Sequence, residues 1–207
     1  KLLTEQINPH FLYNTLEEIQ SEVLRGDSKA ASNMIQYLAE FLRIGLSGGA
    51  DAISIKNELR HANAYVKIMN QRFRQAILFM HKIDPALNDH LILKTILQPL
   101  IENSIRHGFG IDSPSIPISV PTIEIVFSAP QTGILKIEVV DNGSGFDTEQ
   151  VHKLMTDQVQ NDTSHPVGLN NVFHRLAAHY GLENVELQLE SIPYYRNAIS
   201  FIIHTNF

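Results

Sequence analysis

The sequence has 207 residues, 43% of them hydrophobic, and a formal net charge of −6 at pH 7. It contains no cysteine, which excludes disulfides, thiolate zinc sites and a cysteine nucleophile. The acidic balance speaks against nucleic acid as a partner, since that requires a basic face, and no run approaches the ~20 consecutive apolar residues of a membrane span.

The chain starts at Lys1 on an amphipathic turn and reads as a piece of a longer protein. Residues 2–25 and 28–46 predict two helices, broken at Gly26-Asp27-Ser28, with Asp27 or Ser28 capping the second. Leu12, Leu16, Ile19 and Val23 recur at helical spacing in the first, as do Met34, Leu38, Phe41 and Leu42 in the second. Such a hairpin buries little alone, so it is expected to pair with a second copy as a dimeric four-helix bundle. After a Gly48-Gly49 hinge, Ser54 with Glu58 starts a third helix running to about Phe73, with Leu59, Ala62, Tyr65, Val66 and Met69 apolar.

Beyond residue 75 the pattern changes. Strands are predicted at 75–83, 122–128, 134–140, 184–191 and 198–204, with a hairpin turn at Gln131-Thr132-Gly133. Helices are predicted at 89–108, 147–156 and 168–180, and loops at 110–121 and 157–167. Hairpins mixed with helices imply an α+β layer sandwich with a mixed, mostly antiparallel sheet. The expected division is a helical hairpin at 1–50, a connecting helix at 51–73 and a second domain at 74–207.

Four segments carry chemistry. In QINPHFLYNTLEEI, residues Gln6, His10, Asn14 and Glu17 form one polar helical stripe. Pro9 removes the amide that would bond the carbonyl of Glu5, so a bend is expected beside an exposed imidazole. Neutral imidazole is a nucleophile, and Asn14 or Glu17 can orient it. In LQPLIENSIRHG, helical spacing puts Asn103, Arg106 and His107 on one face, combining a hard oxygen ligand suited to Mg²⁺ with two nitrogen donors suited to phosphate. In VVDNGSGF, Asp141 ends a strand before Gly143 and Gly145; the carboxylate can accept from an amino group such as adenine N6, and the glycines allow close backbone approach. In PVGLNNVFHRL, Gly168 opens a helix after a polar loop, and a helix start is an anion site.

In this order the four segments resemble the sensor histidine kinases of the LytS/YesM type, of two-component signalling. They look like the phosphoacceptor box and the N, G1 and G2 boxes of the GHKL, or Bergerat, ATP-binding fold. The resemblance runs from about residue 2 to residue 204. It implies a dimeric bundle followed by a Bergerat-type sandwich, with ATP and Mg²⁺ as nucleotide and metal. It implies His10 as the phosphorylated residue; beside it, Asn14 or Glu17 is left to orient the ring, and Glu17 is a candidate base. It implies Asn103 as the Mg²⁺ ligand, Arg106 and His107 as phosphate contacts, Asp141 on adenine N6 with Gly143 and Gly145 shaping the pocket, and Gly168, Leu169 and Asn170 at the base of the ATP lid. The implied partners are a second copy and the receiver domain of a response regulator. The implied location is the cytoplasmic side of a bacterial membrane sensor, with membrane contact only through segments absent from this chain.

The sequence departs from the family at Pro166, where a glycine is usual, and at Asn197-Ala198, where Gly-Thr usually precedes the last strand. Pro166 is expected to stiffen the lid base, and it favours the alternative reading: a degenerate, nucleotide-binding signalling module without phosphotransfer. An ATPase that drives conformational change would carry a carboxylate four residues before Asn103, where this chain has Pro99.

Overall fold

The computed structural model describes residues 9–46, 51–73, 76–87, 89–110, 120–156 and 167–205. Residues preceding Pro9, with Gln6 and the Glu5 carbonyl on which the expected bend depends, lie outside this range. So do the Gly48-Gly49 hinge, most of the 110–121 loop, and Pro166 with nearly all of the loop before it.

Helices α1 (Pro9–Leu24), α2 (Ser28–Gly45) and α3 (Ile55–Phe73) come first. Asp27 caps α2, its carboxylate accepting from the Ala30 amide at 2.9 Å. Ser54 does the same for α3 through the Asn57 amide at 3.3 Å. The inner face of α2 is Met34, Leu38 and Phe41, as its spacing predicts, and it packs along α3. An aromatic cluster ties the three helices together: the Phe11 ring lies 5.0 Å from Phe41 and 5.2 Å from Tyr65.

The face of α1 differs from its apolar spacing. It buries Phe11, Thr15 and Glu22, while Leu16 and Val23 are 53% and 60% exposed. The polar residues tolerate burial because each has a local partner. Thr15 Oγ1 donates to the Phe11 carbonyl at 2.7 Å, and Glu22 pairs with Arg25. Leu16, Val23, Leu24 and Tyr13 are left as an apolar strip on the outer surface.

His61 on α3 is buried, stacked on Phe41 at 4.3 Å, and its Nε2 has no hydrogen-bond partner among the described residues. Burial pushes its pKa down to about 4. An unfolded imidazole protonates near 6.5, so between those values the unfolded chain binds the extra proton. Stability is then full above pH 6.5 and falls by about 3 kcal/mol toward pH 4. Denaturant melts at pH 7 and pH 4.5 should show this loss in the wild-type chain and its absence in His61→Leu. Equal pH dependence in the two would remove His61 as the cause.

The remaining elements are β1 (Ala52–Ser54), β2 (Leu78–Ile83), β3 (Leu91–Leu93), α4 (Leu97–Asn103), β4 (Thr122–Gln131), β5 (Ile134–Asp141), α5 (Thr148–Thr156), α6 (Val167–Tyr180), β6 (Val185–Ile192) and β7 (Arg196–His204). Five strands form a sheet in the order β2-β4-β5-β7-β6, with β2 parallel to β4 and the other pairs antiparallel. Strict alternation puts Ile123, Ile125 and Phe127 of β4 and Leu135, Ile137 and Val139 of β5 on the inner face. Leu97, Leu100 and Ile101 of α4 and Leu169, Val172 and Leu176 of α6 join the same core. That core is continuous with Phe11, Met34 and Phe41 of the helical part. The outer face carries charge instead, as where Glu138 takes Lys136, Arg196 and Ser200.

The predicted helix at 89–108 is corrected to three pieces. Residues Leu91–Leu93 pair with Ala52–Ser54 as an antiparallel two-stranded ribbon. A turn follows with Thr95 at φ +59°. α4 then runs only to Asn103 and passes into one π turn over Ser104–Gly108, closed by the Phe109 amide on the Ser104 carbonyl at 2.9 Å. The apolar spacing of this stretch fits a helix, and the ribbon partner that overrides it is about 40 residues away.

Candidate active site

The site residues fall in two groups. His10, Asn14 and Glu17 lie on α1, the helix whose neighbours are α2 and α3. His10 is exposed, and Asn14 one turn on places its Nδ2 3.0 Å from His10 Nδ1 and 3.4 Å from Nε2. A half-turn of the amide puts its oxygen in the same place, where it accepts from Nδ1–H and leaves the lone pair on Nε2. Glu17 is exposed and seven residues on, a rise of about 10 Å along the axis, so of these two residues Asn14 is the one in reach of the ring.

The second group is built where the end of β5 meets the π turn. Asp141 is the last residue of β5, and its Oδ2 accepts from Ser104 Oγ at 2.6 Å. Its Oδ1 accepts from the Gly143 amide at 2.9 Å and from Asn197 Nδ2 at 3.0 Å. A carboxylate has about four acceptor positions; among the described residues three are filled here, so Oδ2 keeps one for a further donor. That suits an amino group such as adenine N6.

Glycines let this loop close. A Cβ on Gly143 would sit 2.5 Å from the carbonyl carbon and oxygen of Gly108, so the two backbones touch where only glycine fits. The Ser144 amide donates to the Gly108 carbonyl at 2.8 Å, and Ser144 Oγ to the His107 carbonyl at 3.2 Å. Gly145 has φ +81°, and a Cβ there would meet Ser191 Oγ at 2.7 Å. Behind the loop, buried Asn197 donates to Gly143 O at 3.1 Å as well as to Asp141, and Ser191 Oγ donates to its Oδ1 at 2.9 Å.

Asn103 closes α4 next to the start of α6: a Cβ on Gly168 would lie 3.3 Å from Asn103 Nδ2 and 3.2 Å from Pro99. Leu169 is buried in the common core and Asn170 is exposed. The single helical face expected for Asn103, Arg106 and His107 is interrupted because the π turn begins directly after Asn103. Arg106 turns back to Glu102 at 3.2 Å, and His107 is exposed. For Mg²⁺, the Asn103 side-chain oxygen has the right donor chemistry, and the residue itself stands at the junction of α4 and the N-terminus of α6.

Ser104 and Ser191 were not legible as site residues, and Asn197 only as a departure from a pattern. Spacing gives no signal for them: Asn197 meets Asp141 because they are register partners across β5 and β7. Ser104 meets Asp141 from the π turn, from 37 residues away in sequence.

Residues 1–77 match the histidine kinase family, and residues 88–204 match the family of histidine kinase-, DNA gyrase B-, and HSP90-like ATPases. The sensor protein LytS of Bacillus anthracis is 30% identical over 204 residues, 98% of this chain and 33% of that protein. The sensor protein kinase HptS of Staphylococcus aureus is 31% identical over 184 residues, 87% of this chain and 33% of that protein. The sensor histidine kinase BtsS of Escherichia coli is 39% identical over 108 residues, 52% of this chain and 19% of that protein. The chain thus spans about a third or less of the length of these curated relatives. The catalytic domain of histidine kinase ThkA shares the fold at a TM-score of 0.55 and 15% identity, over 74% of this chain and 95% of that one. The Acinetobacter baumannii histidine kinase AdeS does so at 0.53 and 12%, over 96% and 98%.

Proposed function

The chain belongs to the sensor histidine kinases of the LytS/YesM type, and from that premise we propose that it is the ATP-dependent kinase core of a two-component sensor. In this reading it phosphorylates His10 and passes the phosphoryl group to an aspartate of a response-regulator receiver domain. The observation that carries it is Asp141: a carboxylate held by three donors with one acceptor position left, beside a glycine loop and one helix end from Asn103. Asp141 would accept from adenine N6, with Gly143 and Gly145 giving the base room. Asn103 would hold Mg²⁺, which when bound neutralises phosphate charge. Arg106 and His107, exposed on the π turn, would meet the phosphates, and Gly168, Leu169 and Asn170 would form the base of the lid.

On α1 the Asn14 oxygen would keep the proton on Nδ1, so that the Nε2 lone pair attacks the γ-phosphorus in line. An N–P bond forms, the bond to the β,γ-bridging oxygen breaks, and ADP leaves. Glu17, with water between, is the carboxylate on the same stripe able to receive the ring proton. The domain division at 1–50, 51–73 and 74–207 belongs to this reading. So does a homodimer, supported by the apolar strip of Tyr13, Leu16, Val23 and Leu24 left open on α1. Among the described residues no helix is long and apolar enough to cross a membrane. A cytoplasmic core of a membrane sensor, tethered through segments absent from this chain, is part of the proposal.

The test is ATP affinity in Asp141→Asn. Three donors already point at this side chain, so the amide keeps its oxygen on Oδ1's partners and turns its NH₂ toward the adenine amino group. Losing a charged acceptor is worth about 1.5–3 kcal/mol, so calorimetry should read a loss of about 10- to 100-fold. Wild-type affinity in this variant would remove Asp141 from base recognition.

A further inference from the structure

Helices α3, α4 and α6 meet at one turn, and two charged side chains, one buried and one half-buried, grip it from opposite sides. Glu58 of α3 is 1% exposed, and its carboxylate accepts from the Thr95 amide at 2.8 Å and from the Ile96 and Leu97 amides at 2.8 and 2.9 Å. The Ile96 and Leu97 amides open α4, so the cap of α4 comes from another helix, 38 and 39 residues away. Arg175 of α6 donates to the other side of the same turn, Nη1 to the Thr95 carbonyl at 2.9 Å and Nη2 to the Lys94 carbonyl at 2.6 Å. Between them Thr95 is held at φ +59°, a conformation a threonine adopts only when its surroundings impose it.

A buried carboxylate and a half-buried guanidinium are costly to desolvate unless paired. Burial pushes the Glu58 carboxyl up in pKa while the three amides and Arg175 pull it back; burial lowers Arg175 while Glu58 and Asp51 raise it. A capping hydroxyl on residue 96 would satisfy α4 more simply. Instead, Ile96 provides no side-chain cap. What the more expensive arrangement adds is a mechanical link. α3 carries Tyr65, which packs on Phe11, the neighbour of His10. α4 ends in Asn103, and α6 starts at Gly168, which abuts Asn103.

We propose that Glu58 and Arg175 are positioning residues whose shared grip on the 94–97 turn fixes α4 and α6, and with them Asn103 and Gly168, relative to α3. The effect on nucleotide rests on the kinase reading above; the grip itself does not.

Two readouts separate them. In hydrogen exchange on the nucleotide-free chain, Arg175→Met should speed exchange at Ile96, Leu97 and through α4 by at least about tenfold, although Arg175 bonds none of those amides; Arg175→Lys, which keeps one charged donor, should restore most of the protection. Glu58→Gln should give the same α4 pattern. In autophosphorylation, assayed well below each variant's melting temperature, Arg175→Met should raise the KM for ATP about tenfold, and Arg175→Lys should bring it back to within about threefold. Wild-type exchange in α4 of folded Arg175→Met overturns the grip. Faster exchange with an unchanged KM overturns its role in placing the site. A wild-type chain that binds no ATP sinks the kinase reading alone, and the exchange result still decides the grip.

Discussion

Replacing His10 by glutamine is expected to abolish transfer of labelled phosphate from γ-labelled ATP to the protein, while ATP affinity stays within about twofold. His10 is exposed on α1, so its removal opens no cavity, and an exposed substitution of this kind costs within about 0.5 kcal/mol. Glutamine can still meet Asn14 but has no nucleophilic lone pair on nitrogen. The proposed adenine and metal positions lie in the other group, around Asp141 and Asn103, and are left as they are. The wild-type product should behave as an N–P bond does, stable in base and lost in acid. Label on the glutamine variant would place the phosphoacceptor elsewhere. No label on the wild type, with ATP still bound, would favour the degenerate, non-transferring module, the reading that Pro166 prompts.

A methyl group at Gly143 should do the opposite, sparing His10 and destroying the proposed nucleotide site. In Gly143→Ala the new Cβ would lie 2.5 Å from backbone atoms of Gly108, which cannot rotate away as a side chain would. The loop must shift by about 1 Å or more to reach ordinary contact distance. The shift would strain the Gly143 amide on Asp141, the Ser144 amide on Gly108, and the Tyr194 amide on the Gly143 carbonyl at 2.7 Å. Overpacking and weakened hydrogen bonds together cost about 3 kcal/mol, read as a lower midpoint in a denaturant melt. ATP affinity should fall more than tenfold, because the same shift turns the Asp141 carboxylate. Wild-type affinity and stability together would show that the loop has slack the contact does not reveal.

The two substitutions bear on different parts of the molecule, and their legibility differed in the same way. α2 and α3 could be read nearly to the residue, because Met34, Leu38, Phe41 and Leu59, Ala62, Tyr65, Met69 repeat at helical spacing and pack against each other. β4 and β5 were legible from alternation, and the Asp141 loop from its glycines. α1 was legible in part: Leu12 and Ile19 of its apolar stripe pack on the core, while Thr15 and Glu22 bury with local partners and Leu16 and Val23 stay on the outside. The stretch from 89 to 96 was misread because β3 exists only through its pairing with β1.

What the sequence determined by itself is whatever depends on near neighbours along the chain: helical faces, strand alternation, caps at Asp27 and Ser54, the Asn14 amide one turn from His10, and the order of four motifs that identifies the family. What only the tertiary structure decided is how distant segments complete each other. Asn197 and Ser104 fix Asp141 from strands and turns 56 and 37 residues away, and Glu58 with Arg175 holds a turn that belongs to neither helix. The physical reason is that a buried carboxylate or amide must find partners, and in a folded chain the nearest donors in space are set by sheet register and helix packing, which local spacing does not encode.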